Sequence, residues 1–158
     1  MPVDPALTQR LARLILDEQA GLKAFISLLR HEEALLVEGQ IDALTGVAEE
    51  KTTLYRSLQR LSDERTVMFA RLGAKVSNDN IRIVLANSPE ALAAWDDVVA
   101  LAADAKERNR LNGQLITERL QNNQQALGTL LAAAEHPQTY GPDGQSRPSA
   151  SSRHLGSV

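Results

Sequence analysis

Apolar residues recur at alternating spacings of three and four along the first helical segment, a pattern typical of an amphipathic helix packed in a coiled-coil-like seam. The stripe includes two acidic residues and one glycine, and it consists of Leu7, Leu11, Leu14, Glu18, Gly21, Phe25, Leu28, Glu32 and Leu35. We expect this helix to span residues 5–38. It should end at Gly39, because glycine readily adopts the left-handed conformation that terminates helices.

A second stripe with the same spacing predicts another amphipathic helix over residues 42–72. It consists of Leu44, Val47, Lys51, Leu54, Leu58, Leu61, Arg65, Met68 and Leu72. Asp42 is a good N-cap residue for this helix, and Gly73 is placed to end it. Because the break at Gly39 is short, the two helices should form an antiparallel hairpin.

One register of this hairpin brings opposite charges together twice, because Glu32 then faces Lys51 and Glu18 faces Arg65. All four side chains interrupt apolar stripes, where an unpaired charge is costly. Two interpretations remain open: the residues form ion pairs within the seam, or their long side chains extend to water. As pairs, they would fix the alignment of the helices more than they would add stability.

The region between the hairpin and the last helix predicts a polar loop over residues 74–80 and two short helical turns over residues 79–86. Ile81, Val84 and Leu85 should face inward. Ser88 and Pro89 then form a strong helix start, with serine as the N-cap and proline at the first helical position.

The last predicted helix is the longest and runs from residue 89 to about residue 135, where His136 and Pro137 should end it. Its stripe consists of Leu92, Trp95, Val99, Ala102, Lys106, Asn109, Gly113, Ile116, Leu120, Asn123, Leu127, Leu130 and Ala134. Gly, Ser and Pro dominate from residue 137 onward, as in flexible segments.

The predicted fold is therefore all-α. A long antiparallel helical hairpin packs with a longer C-terminal helix in an up-and-down bundle, with one short connecting helix. We expect a helical bundle domain at residues 1–136 and a flexible tail at residues 137–158.

The predicted helix lengths differ: each hairpin helix is about 48 Å long and the last helix about 70 Å. If the last helix starts at the open end of the hairpin, its final part projects and exposes an apolar stripe that suits a partner helix. Two alternatives stay open. The stripe pairs with that of a second copy, or the short helix shifts the start so that nothing projects.

Composition restricts the classes of function. The chain has 158 residues and no cysteine, which excludes disulfides, thiolate metal sites and cysteine nucleophiles. No apolar run is long enough to span a bilayer, and the N-terminus lacks the features of a secretory signal. The formal net charge of −3 provides no global attraction for phosphates. We therefore expect no membrane insertion and no nucleic-acid partner.

Candidate catalytic residues are sparse. His31 precedes two glutamates, but a zinc-binding helix would require a second histidine at position 35, where leucine stands. There is no glycine-rich phosphate loop and no Gly-x-Ser-x-Gly motif. We expect a protein that is not an enzyme and that binds no cofactor and no metal.

Residues 109–116, with the sequence Asn-Arg-Leu-Asn-Gly-Gln-Leu-Ile, form the least ordinary stretch, because Asn and Gly are weak helix formers within a seam. Two interpretations stand. Either Gly113 allows two helices to approach closely while an asparagine side chain forms a hydrogen bond to the backbone of the neighbouring helix, or the polar residues recognise a partner helix.

The motif Asn-x-x-Asn-Gly-x-Leu-Ile at 109–116 and the motif Thr-Tyr-Gly-Pro-Asp-Gly at 139–144 occur behind a helical hairpin that carries Lys51. In these features the chain resembles the FlgN family of flagellar export chaperones. The resemblance implies a cytoplasmic, non-enzymatic chaperone for the hook-associated proteins of the hook–filament junction. It would bind their C-terminal amphipathic helices, block premature assembly and deliver them to the type III export apparatus, including its export gate and ATPase complex components.

The resemblance also implies that the C-terminal portion holds the client. The expected client contacts are Asn112, Ile116, Leu120, Asn123, Leu127, Leu130, Leu131 and Tyr140. An alternative function is a homodimeric coiled-coil structural adaptor. A third is a histidine phosphotransfer domain that uses His31.

Overall fold

A computed structural model describes residues 4–73 and 75–139, and every regular element among them is helical. The elements in chain order are helix α1 (Pro5–Glu38), a 3₁₀ helix (Ile41–Ala43), and helices α2 (Leu44–Arg71), α3 (Asn78–Val84) and α4 (Pro89–Thr139). The predicted all-α fold is confirmed, with two hairpin helices, a short connecting helix and a longer last helix.

Local hydrogen bonding and glycine conformation explain where the hairpin helices begin and end. The Asp4 side chain accepts a hydrogen bond from the backbone N–H of Ala6 at 3.1 Å, which satisfies a donor that has no partner inside α1. Gly39 ends α1 with a φ of 76°, and Gly73 follows α2 with a φ of 70°. Both glycines adopt the left-handed conformation that the sequence predicts for them.

The start of α2 differs from the prediction, because Asp42 does not cap it. Asp42 lies within the 3₁₀ helix, which runs directly into α2. The backbone N–H of Leu44 bonds to the carbonyl of Ile41. The 3₁₀ turn therefore supplies a backbone acceptor for this N–H group at the start of α2, where a side-chain cap would otherwise provide one.

Helices α3 and α4 also differ at their ends from the prediction. Helix α3 begins at Asn78, where the Ser77 hydroxyl accepts a hydrogen bond from the Asn80 backbone N–H at 3.1 Å. Ile81 is buried as predicted. Helix α4 begins at Pro89 as predicted, but it continues to Thr139, about one turn past its predicted end.

The chain divides into two compact units, residues 1–113 and residues 114–158. In the first unit, α1, α2, α3 and residues 89–113 of α4 share one hydrophobic core. Its buried members are Leu11, Ile15, Leu22, Phe25, Ile26, Leu29, Met68, Phe69, Ile81, Leu85, Ala91, Ala94, Trp95, Val98 and Ala105. A smaller cluster of Leu28, Leu35 and Val47 lies toward the hairpin connection.

Two hydrogen bonds define the direction of α4 within the first unit. Gln19 donates to Asp97 at 2.7 Å, and Asn112 donates to the backbone carbonyl of Leu29 at 2.9 Å. Residue numbers thus increase together along the two helices. This part of α4 therefore runs parallel to α1 and antiparallel to α2, as in an up-and-down bundle.

The buried face of α4 is offset by one residue from the predicted stripe. The sequence pattern predicts Val99, Lys106 and Gly113 in the seam, and all three are exposed, whereas the preceding residue is buried in each case. Several buried positions are alanines, including Ala91 and Ala105. Small side chains permit close helix packing, and a pattern weighted toward large apolar residues misses them.

Candidate functional site

Four polar side chains form a connected network inside the first unit. The Nζ atom of Lys51 lies 3.1 Å and 3.2 Å from the two carboxylate oxygens of Glu32, and it donates to Oδ1 of Asn109 at 2.7 Å. Nδ2 of Asn112 donates to the backbone carbonyl of Leu29 and to Oε1 of Glu32, each at 2.9 Å. The network links both α2 and α4 to one carboxylate on α1.

Burial makes these hydrogen bonds important for the fold. Glu32 is 4% exposed and Asn112 is 2% exposed. A buried carboxylate without donors would be strongly unfavourable. Of the two interpretations of the charged seam residues, the structure shows the ion pair between Glu32 and Lys51.

The second charge pair also lies where the hairpin register places it. Arg65 forms an ion pair with Glu18, and its guanidinium carbon lies 5.1 Å from the ring centroid of Trp95 on α4. Burial raises the pKa of Glu18 above its ordinary value, because desolvation penalises the charged carboxylate, and the Arg65 guanidinium offsets part of this rise.

The residues of the stretch 109–116 do not share one environment, because some have a structural role inside the first unit and others are exposed. Asn112 is enclosed and bonded within the first unit, so we remove it from the expected client contacts as a correction. Its side chain donates a hydrogen bond to the backbone of α1, as the first of the two interpretations of this stretch predicts. Gly113 is not a point of close approach, because an added Cβ would meet no atom within 4 Å.

The second unit places the other expected contacts of α4 at the surface. Among its side chains that the structure describes, residues 114–134, none is buried. The exposed contacts are Ile116, Leu120, Asn123, Leu127, Leu130 and Leu131. Their spacing lies close to the helical repeat, which places them along one side of the helix. We call these six residues the C-terminal stripe.

The C-terminal stripe is unusual because it is both apolar and nearly free of charge. Leu120 and Leu127 are each 58% exposed, and Leu130 is 67% exposed. Glu118 and Arg119 are the only charged residues between positions 114 and 134. Single exposed leucines are ordinary, but a contiguous apolar face marks a surface suited to a partner.

Tyr140 and residues 141–158 lie outside the described residues, so the expected client contact at Tyr140 and most of the predicted tail remain predictions. The expected projection of the last helix beyond the hairpin also remains a prediction.

His31 is exposed on α1. Across residues 4–73 and 75–139, no group of three or more His, Cys, Asp or Glu residues is arranged to hold a metal ion. None of the helices in that same part of the chain combines the length and the hydropathy needed to cross a membrane.

Two residues that complete the polar contacts escape the sequence prediction. Asn109 accepts a hydrogen bond from Lys51, and Trp95 packs against the Arg65 guanidinium. Both occupy predicted seam positions of α4. Aligning the predicted α4 stripe against the charged positions of the hairpin would have identified them as candidate partners.

Comparison with known proteins places these features in a family. A family model described as FlgN protein matches residues 1–148. The Flagella synthesis protein FlgN of Yersinia enterocolitica serotype O:8 is 30% identical over 136 residues, which cover 84% of this chain and 86% of that protein. No solved structure shows a significant match.

Two further relatives carry the same description. The Flagella synthesis protein FlgN of Escherichia coli strain K12 is 28% identical over 138 residues, and that of Salmonella typhimurium is 26% identical over 138 residues. Each alignment covers 86% of this chain and 89% of the relative.

Proposed function

Because the chain belongs to the FlgN family and thus has a role in flagellum assembly, we propose that it is a cytoplasmic export chaperone for hook-associated proteins. It binds the C-terminal amphipathic helices of these junction proteins and prevents their premature assembly. It then delivers them to the type III export apparatus through components of the export gate and the ATPase complex. It performs this role without catalysis and without a cofactor.

The observation that carries this proposal is the exposed, nearly charge-free C-terminal stripe. An amphipathic client helix buries its own apolar face by packing against such a stripe, which is a common mode of helix recognition. While the face is covered, it cannot pair with another junction protein. The stripe is narrow and consists of four leucines, one isoleucine and one asparagine, so its affinity is modest and the client can be released.

The same stripe also favours a second candidate, the homodimeric structural adaptor, because two copies could cover each other's apolar faces. The two functions differ in what a client does to the assembly. A chaperone forms a complex with the client helix, whereas a stable homodimer keeps its stripe covered and does not respond to the client.

The test is the double substitution Leu127→Asp with Leu130→Asp in the full chain. Both side chains are exposed, so helicity and the thermal midpoint should stay nearly unchanged. The charges should weaken binding of a C-terminal segment of a hook-associated protein at least about a hundredfold, because a carboxylate cannot be buried unpaired in an apolar contact. Calorimetric titration measures the affinity, and light scattering with and without the segment measures the assembly state.

Ile83→Asp with Val99→Asp is the matched control, since both residues are exposed but lie in the first unit. This control should retain the client affinity. Unfolding of the Leu127→Asp, Leu130→Asp variant would identify those leucines as core residues. A wild-type dimer whose assembly state does not change when the client segment is added would favour the adaptor. Either result would contradict the chaperone proposal.

A further inference from the structure

A second surface of the first unit has a different chemistry. Helices α1 and α2 border a groove with a volume of about 780 Å³. Five arginines line it: Arg10, Arg13, Arg56, Arg60 and Arg71. Arg10 lies near the start of α1 and Arg71 is the last residue of α2, so the groove lies toward the open end of the hairpin. We call it the arginine groove.

The arginine groove carries a local charge opposite to that of the chain. Within residues 4–73 and 75–139, none of its five guanidinium groups forms an ion pair. Three carboxylates, of Asp17, Asp63 and Glu64, also line it, which leaves an excess of two positive charges. The whole chain has a formal net charge of −3, so this local excess is a specific feature of the groove.

Apolar side chains also contribute to the lining. Leu14 is half-buried, Met68 is buried, and Val67 is 51% exposed. Guanidinium groups bind carboxylates through paired hydrogen bonds, and the apolar residues offer contact area that a purely ionic partner would leave uncovered. The lining therefore fits a helix with apolar residues on one face and carboxylates beside them.

The three carboxylates distinguish between classes of anionic partner. A continuous polyanion, such as duplex DNA or an anionic membrane, would bring its phosphates against Asp17, Asp63 and Glu64 as well as against the arginines. Like charges brought together in this way are unfavourable. A protein helix can instead place its carboxylates opposite the arginines alone.

We propose that the arginine groove is a docking site for an acidic amphipathic helix of a protein partner, separate from the C-terminal stripe. The groove and the stripe belong to different units of the chain. One molecule can therefore present two surfaces with different selectivity, one apolar and the other charged. This second site does not depend on which client the stripe binds.

The test uses a fluorescent three-heptad peptide with leucines on one face and glutamates beside them, and a second peptide in which lysines replace the glutamates. Anisotropy titrations on the whole 158-residue chain should show binding of the acidic peptide that weakens as salt is raised. Arg56→Glu with Arg60→Glu should weaken this binding at least about tenfold, because two attractive contacts become repulsive.

The matched control is Lys23→Glu with Arg30→Glu, which changes the net charge by the same amount at exposed positions of α1 outside the groove. The control should keep the affinity within about threefold, since distant exposed charges are screened by salt. If the glutamate variant does not fold, Arg56→Gln with Arg60→Gln removes the charges without reversing them and should still weaken binding.

Three results would overturn the proposal. They are equal affinity for the acidic and basic peptides, equal weakening by the groove and control variants, and tighter binding of a DNA duplex or of phosphatidylglycerol vesicles than of the acidic peptide. The groove variant should still bind the hook-associated segment, and Leu127→Asp with Leu130→Asp should still bind the acidic peptide. Failure of one site is thus distinguished from failure of the other.

Discussion

Glu32 depends on donors from two other helices. Lys51 reaches it from α2 and Asn112 reaches it from α4, so a single buried carboxylate fixes the alignment of all three long helices. Such polar groups specify register even where they add little net stability. Asn109 and Asn112, which are weak helix formers, take part in this polar network of the first unit.

Replacing Lys51 with methionine should destabilise the protein by about 2 kcal/mol, because the Glu32 carboxylate stays buried without its cation. The loss is smaller than for a fully buried pair, since the Lys51 side chain is 21% exposed. The double variant Glu32→Met with Lys51→Met should recover most of the lost stability, because no buried charge then remains. Urea unfolding followed by circular dichroism measures both free energies.

A double variant as unstable as Lys51→Met alone would contradict this account. It would mean that the ammonium of Lys51 contributes through another contact, such as its hydrogen bond to Asn109, rather than by compensating the buried charge.

The Glu18 carboxyl should make stability depend on pH in a defined direction. Its pKa is raised in the folded state, so the stability it contributes is present below the pKa of the unfolded chain and is lost as pH rises through the folded pKa. Relative to Glu18→Gln, the wild type should therefore gain stability as pH falls from about 7 toward about 4.

Unfolding free energies of the wild type and Glu18→Gln across this range check the prediction. Glu33→Gln, at an exposed position of α1, controls for the general effect of removing a carboxylate. A wild type that loses stability relative to Glu18→Gln as the solution is acidified would show that ion pairing with Arg65, rather than desolvation, dominates the pKa of Glu18.

At the scale of the elements, the hairpin could be predicted in detail and α4 only in outline. The charges at Glu18, Glu32, Lys51 and Arg65 interrupt long apolar stripes and select one antiparallel register, and Gly39 marks the connection. These signals are local and periodic, so they can be read from one sequence. The start of α4 at Pro89 is equally explicit.

The buried face of α4 could not be read in the same way. Alanines such as Ala91 and Ala105 are buried where α4 packs in the first unit, and their burial is a property of the assembled bundle. As a result, the buried face of α4 is offset by one residue from the predicted stripe, and Val99 and Lys106 are exposed. Asn112 becomes a core residue for the same reason and leaves the set of client contacts.

At the scale of the whole molecule, the two units have different surfaces. The first unit has a core, two partly buried ion pairs and the arginine groove. The described side chains of the second unit are all at least partly exposed and include the C-terminal stripe. The exposed leucines lie on the α4 stripe that the spacing of apolar residues predicts, but the arginine groove could not be predicted, because its residues are dispersed between α1 and α2 and follow no motif.

Hydrogen–deuterium exchange of the chain alone and in complex with a hook-associated C-terminal segment tests the central claim most directly. The claim is that the C-terminal stripe of α4 binds the client while the structure of the first unit does not change. Amide exchange should slow over residues 114–134 on binding and remain unchanged over α1 and α2. Slowing confined to residues 5–71, or no slowing over 114–134 when the protein is saturated with client, would contradict it.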